Sequence, residues 1–177
     1  LVGTIARLQQ SADDTPKADV IALLKEMRDD LRLVIDTTAQ EQADLASLIA
    51  PLRHRASRLL EAADIDAYWQ VEGIEGLRIE PARSLDLLRL LQEALTNVFK
   101  HSRAQRVDVR IVREGERLCL AVRDDGVGLA DAAGPRIEGG GAGFASMRLR
   151  AQRLGGSLRV QAAMPGTELL LEMPLAA

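Results

Sequence analysis

Aromatic side chains are nearly absent from this sequence, at 2% of 177 residues. A surface that stacks nucleobases needs such rings, so single-stranded nucleic-acid binding is disfavoured. There is no excess of positive charge either. The net charge is −3, which leaves no basic field for nucleic acid or an acidic membrane surface. Cysteine is limited to Cys119, so no internal disulfide is possible, which fits a reducing compartment. Cys119 lies in an apolar alternating run and reads as a small core residue. No stretch reaches the roughly 18–20 apolar residues that a membrane span needs, and no signal peptide is visible. Repeats and low-complexity tracts are missing as well. What is present is 47% apolar and 28% charged residues, enough to build a core of one or two small domains. The chain begins with Leu1, in a segment that already reads as helix, which is the expectation for a piece of a longer protein.

Residues 1–42 read as a helical hairpin. Leu1, Ile5 and Leu8 share a face, and Thr15-Pro16 resembles a helix start. Val20, Leu24, Met27, Leu31, Val34 and Thr38 then recur at alternating steps of four and three, a heptad seam. So narrow a stripe on so short a hairpin fits a four-helix bundle made with a second copy. Packing on the rest of its own chain is the alternative. Residues 43–177 read as a second unit. An amphipathic helix covers 43–63, with Pro51 marking a kink or a fresh start. Tyr68–Glu72 and Leu77–Ile79 flank a glycine turn and read as a hairpin. Pro81 opens a helix to His101. Val107, Val109, Ile111 and Leu118, Leu120, Val122 alternate as two strands about the turn Glu114-Gly115-Glu116. Residues 125–142 read as a long loop and 143–154 as a helix ended by Gly155-Gly156. Leu158–Ala162 and Thr167–Met173 form a last hairpin through Pro165-Gly166. The pattern predicts an α+β fold with a mixed sheet on one side and helices on the other.

Four places suggest chemistry. On the helix 82–101, Leu88, Leu91, Leu95, Val98 and Phe99 share one side at about 100° per residue. Glu93, Asn97, Lys100 and His101 cluster on the other. Asn is a poor helix-interior residue. An amide oxygen near a carboxylate suits Mg²⁺ or a metal-bound water, and Lys-His suits phosphate. A solvated polar face is the bland alternative. Asp124 shares the parity of Leu118, Leu120 and Val122, so it points inward, where a buried carboxylate needs a donor such as a purine amino group. Gly126 and Gly128 follow it and let a ligand approach the backbone. The run 139–143, Gly-Gly-Gly-Ala-Gly, leads into a helix N-terminus and could cradle phosphate. It matches neither the GxxxxGK[ST] loop nor the GxGxxG dinucleotide turn. Thr167 ends a second inward row, and shares with Asp124 the option of a common polar ligand or water.

Together, QEALTNVFKH (92–101), DDGVG (124–128), GAGFASMRLRAQRLGG (141–156) and PGTELLLEMP (165–174) resemble the N box and glycine boxes of the histidine-kinase ATPase domain. Its superfamily includes gyrase, Hsp90 and MutL. The form GxGxxxMxxRAxxLGG resembles the nitrate-sensor-like (NarX/DesK-type) branch of sensor histidine kinases. The hairpin and LRHRASRLLEAADIDAYWQV resemble that branch's dimerisation region and the entry to its catalytic domain. The resemblance implies a two-layer α/β sandwich that binds ATP and Mg²⁺. By it, Asn97 ligates the metal, and Glu93 holds a metal-bound water or assists proton transfer. Lys100 and His101 face the phosphates. Asp124 takes the adenine amino group, Gly126 and Gly128 shape that pocket, Gly141 and Gly143 line the phosphates, and Thr167 reaches adenine through water.

The parent so implied is a homodimeric, membrane-anchored sensor kinase. Its cytoplasmic portion phosphorylates a histidine and then an aspartate on a response-regulator receiver domain. No nucleic acid and no membrane contact are expected for these residues. The family's acceptor histidine, with its acidic neighbour, would precede Leu1. His54, between Arg53 and Arg55, reads as a solvent-side residue, so these residues are expected to bind ATP without phosphorylating themselves. Two other classes stay open: a dimerisation scaffold with a vestigial site, and a gyrase- or Hsp90-like ATPase.

Overall fold

The computed structural model describes residues 44–128 and 142–176. The expected hairpin of residues 1–42 lies outside the described residues. The elements run α1 (Leu45–Glu61), β1 (Asp66–Glu72), α2 (Pro81–Asn97), a π-helical turn (Val98–Ser102), β2 (Arg106–Glu114), β3 (Arg117–Asp124), α3 (Ala142–Arg153), β4 (Ser157–Ala162) and β5 (Thr167–Pro174). Asp44 caps α1 by accepting from the Ser47 amide at 3.1 Å. Pro51 lies inside α1 without dividing it. The continuous row Leu45, Leu48, Ile49, Leu52, Ala56, Leu59 and Leu60 is buried on both sides of the proline, so core packing outweighs the lost backbone bond.

The sheet has the order β1-β2-β3-β5-β4. β1 and β2 are parallel, and the other pairs are antiparallel. This is the mixed sheet that the alternation predicts. Val107, Val109, Ile111, Leu118, Leu120, Val122, Leu169, Leu171 and Met173 are buried in one core with Leu87, Leu88, Leu90 and Leu91 of α2 and Met147, Ala151 and Leu154 of α3. One sheet face therefore carries the helices.

Three expectations are corrected. Leu77–Ile79 does not pair with β1. Gly73 and Gly76, both at φ +68, bend the chain away from it. Ile74 and Ile79 sink into the core, and the segment meets the start of α1 through Leu45 N–H to Leu77 O at 2.8 Å and an Asp44–Arg78 bridge. β1 instead finds β2 through the α2 crossover. Second, the helix expected to His101 ends as α-helix at Asn97 and widens into the π-turn. Third, Cys119 lies on the sheet face opposite Leu118 and Leu120 and is only half-buried. Its thiol faces Glu114 Oε2 at 3.5 Å. Desolvation, then the bond to Glu114, pushes the thiol's pKa up.

Candidate nucleotide site

α2 sets the first wall. Pro81 stands at its first position, and Ser84, Leu87, Leu88, Leu90, Leu91, Ala94 and Leu95 face the core. Glu93 and Asn97 fall on the half-exposed side, one turn apart, and Lys100 and His101 are exposed in the π-turn beyond them. The four predicted polar residues thus follow one another along a single edge. π-turns inside helices recur at functional sites because they rotate side chains relative to a regular helix.

The second wall is the end of β3. Asp124 is 6% exposed, as its parity predicts. Its Oδ1 accepts from the Gly126 amide at 2.9 Å, and the Thr167 backbone N–H also donates to the carboxylate. Burial raises its pKa and outweighs these bonds. A carboxylate has about four acceptor sites; the backbone amides of Gly126, Thr167 and Asp124 itself leave capacity for another. The neighbouring Asp125 differs: it is exposed, and its Oδ1 accepts from the Gln105 and Arg106 amides at 2.9 Å each.

Glycines bring these parts together. A Cβ at Gly126 would overlap the Ser102 carbonyl, and one at Gly166, which has φ +96, would overlap the Asp124 carbonyl. A Cβ at Gly128 would come 3.1 Å from Gly166 O. Asp124, Gly126, Gly128 and Thr167 are therefore gathered where β3 meets the β4–β5 turn. On the other side of the site, Gly143, in the first turn of α3, abuts Glu93 so closely that a Cβ would overlap Oε1. Gly141 lies outside the described residues. Ser102 and Gly166 were not foreseen. Ser102 follows Lys100-His101 as an ordinary small polar residue, and nothing in its spacing announces that it is 7% exposed and makes three hydrogen bonds through its hydroxyl and carbonyl oxygens. Gly166 reads as plain turn chemistry.

Residues 82–177 match the model of the histidine kinase-, DNA gyrase B- and HSP90-like ATPase family, and the chain belongs to that family. Its ATPase domain is of the sensor histidine kinase type. It is 26% identical over 174 residues to the sensor histidine kinase YxjM of Bacillus subtilis, covering 95% of this chain and 40% of that one. To the nitrate/nitrite sensor protein NarX of Escherichia coli it is 36% identical over 85 residues, 48% of this chain and 14% of that one. The chain thus spans well under half the length of these relatives. In fold it is similar to the histidine kinase domain of the blue-light activated histidine kinase of Erythrobacter litoralis. That match has a TM-score of 0.66 and 21% identity, over 99% of this chain and 84% of that one.

Proposed function

We propose that residues 43–177 bind Mg²⁺–ATP as the catalytic domain of a two-component sensor histidine kinase. The observation that carries this reading is Asp124: a buried carboxylate with spare acceptor capacity, at a strand end lined by side-chain-free backbone, beside a helix edge that bears Glu93, Asn97, Lys100 and His101. These groups fit the ligand. Asp124 and Thr167 would take adenine, with Gly126 and Gly128 shaping the pocket. Asn97 would hold Mg²⁺, with Glu93 acting through a bound water. Lys100, His101, Gly141 and Gly143 would face the phosphates. Mg²⁺, when bound, supplies charge neutralisation on the phosphate chain. The protein's own part is placement: Lys100 offsets phosphate charge, and Glu93 orients a water or accepts a proton.

In the parent protein the γ-phosphoryl would pass to a histidine and then to a response-regulator aspartate. Neither His54 nor His101 suits the acceptor role. His54 is exposed on α1 between two arginines, and His101 belongs to the nucleotide edge. Residues 1–42 would pair two copies through the heptad seam. Among the described residues no helix is long and apolar enough to cross a membrane; a cytoplasmic position below a membrane anchor is part of the proposal.

Calorimetric titration with Mg²⁺–ATP tests the binding reading, and no heat up to millimolar nucleotide would sink it. Labelled ATP supplied to the longer protein, with its upstream histidine, separates the reactions. Acid-labile, base-stable label on protein is expected of a kinase, and free phosphate alone would mean an ATPase instead.

A further inference from the structure

Ser102 closes the π-turn and is 7% exposed. Its hydroxyl donates to Val98 O at 2.6 Å and accepts from the Ala104 amide at 3.0 Å. Its carbonyl accepts from the Val127 amide at 2.8 Å. Gly126 lies directly against that carbonyl, leaving no room for a Cβ, while its own amide holds Asp124 Oδ1 at 2.9 Å. Arg103, at φ 52, turns the chain sharply just after it. One residue therefore joins the turn bearing Lys100 and His101 to the loop bearing Asp124 and Gly126. The hydroxyl fixes the turn from within, and the carbonyl fixes the loop onto the turn.

We propose that Ser102 is a positioning residue that sets the separation between the phosphate-facing and adenine-facing halves of the nucleotide site. The proposal rests on the nucleotide reading above. Its physics concerns a linked ligand. ATP gains from binding both halves at once only if they are held at the spacing its own bonds dictate. A hydroxyl that bonds back to the carbonyl four residues earlier is a known way of reshaping a helical turn. Without it, the turn can return to regular helix, and Lys100 and His101 rotate away from the Asp124 loop. Each half then keeps its own groups but loses its register with the other.

The test is a ligand series on Ser102→Ala, followed by chemical-shift titration: adenosine for one half, Mg²⁺–tripolyphosphate for the other, Mg²⁺–ATP for both. The variant is expected to weaken ATP by about tenfold or more while adenosine and tripolyphosphate change by less than about threefold, because only the linkage is lost. Ser102→Thr, which keeps the hydroxyl, should restore ATP. Should the alanine variant not fold, as judged by its melting curve, Ser102→Cys gives a weaker donor and a graded form of the same pattern. Unchanged ATP affinity overturns the proposal. So does a loss shared equally by all three ligands, which would mean general loosening, or a loss confined to one half. Absence of ATP binding by the unsubstituted chain would instead overturn the nucleotide reading.

Discussion

Asp124 carries its charge where burial disfavours it, and this has a consequence without any ligand. Its pKa is raised in the folded chain, so the native state holds this proton more tightly than the unfolded state does. The group costs nothing below the ordinary aspartate range near pH 4, and the cost grows as pH rises through the folded value. The melting temperature of the wild type minus that of Asp124→Asn is therefore expected to fall between pH 4 and pH 7. A flat or rising difference would contradict the burial. The same substitution should weaken Mg²⁺–ATP by roughly 1–3 kcal/mol, the cost of mispairing a buried donor, as calorimetry would read. Gly143→Ala makes a second case. Its methyl would strike Glu93 Oε1 and displace that carboxylate, so weaker Mg²⁺–ATP binding is expected by calorimetry, and unchanged affinity would mean that the Glu93 side chain yields without loss. Asp124 and Thr167 were legible in the sequence because parity along a strand follows from geometry. The Thr167 backbone donor to Asp124, and the contact between Gly143 and Glu93, join residues distant in the chain and leave no local pattern.

Among the elements, α2 shows how far periodicity reaches. Its apolar and polar faces follow from the spacing of leucines, and its start from Pro81. Its end does not: there the Ser102 hydroxyl bonds back to Val98 O and the loop after β3 bonds to the Ser102 carbonyl, contacts that periodicity does not encode. Cys119 follows strict alternation: with Leu118 and Leu120 inward, residue 119 faces outward. Leu77–Ile79 misleads for a different reason, since two apolar residues beside a glycine turn look alike whether they pair or simply anchor. The first turn of α2 also supports the far end of the domain. Arg83 donates to the carbonyls of Leu175 at 3.0 Å and Leu154 at 3.2 Å, and to Pro174 O. These are the ends of β5 and of α3. Arg83→Ala should lower stability by about 1.5–3 kcal/mol, the range for bonds to a charged donor, measured by urea unfolding. A change below about 0.5 kcal/mol, the usual range for a surface substitution, would show that the clasp contributes little.

For the whole molecule, the α+β class and the single layer of helices were readable from alternating strands and amphipathic segments. The pairing order was not, because alternation fixes a strand's face and not its neighbour. If the domain binds nucleotide only when folded, Mg²⁺–ATP at a hundred times its Kd should add about 2.7 kcal/mol of stability, visible as a rise in melting temperature that Asp124→Asn reduces. Sedimentation of the chain should show a dimer if the heptad seam pairs two copies, and a monomer at all concentrations would remove that expectation. The parallel pairing of β1 with β2 has a further consequence, in time. β2 and β3 are joined by a short turn, and β4 and β5 likewise, so these hairpins close early. β1 reaches β2 only after the whole crossover through α2 is in place, and long closures are slow. Folding should therefore end with the docking of β1 on β2, after the α2 crossover that carries Glu93 and Asn97 is already in place.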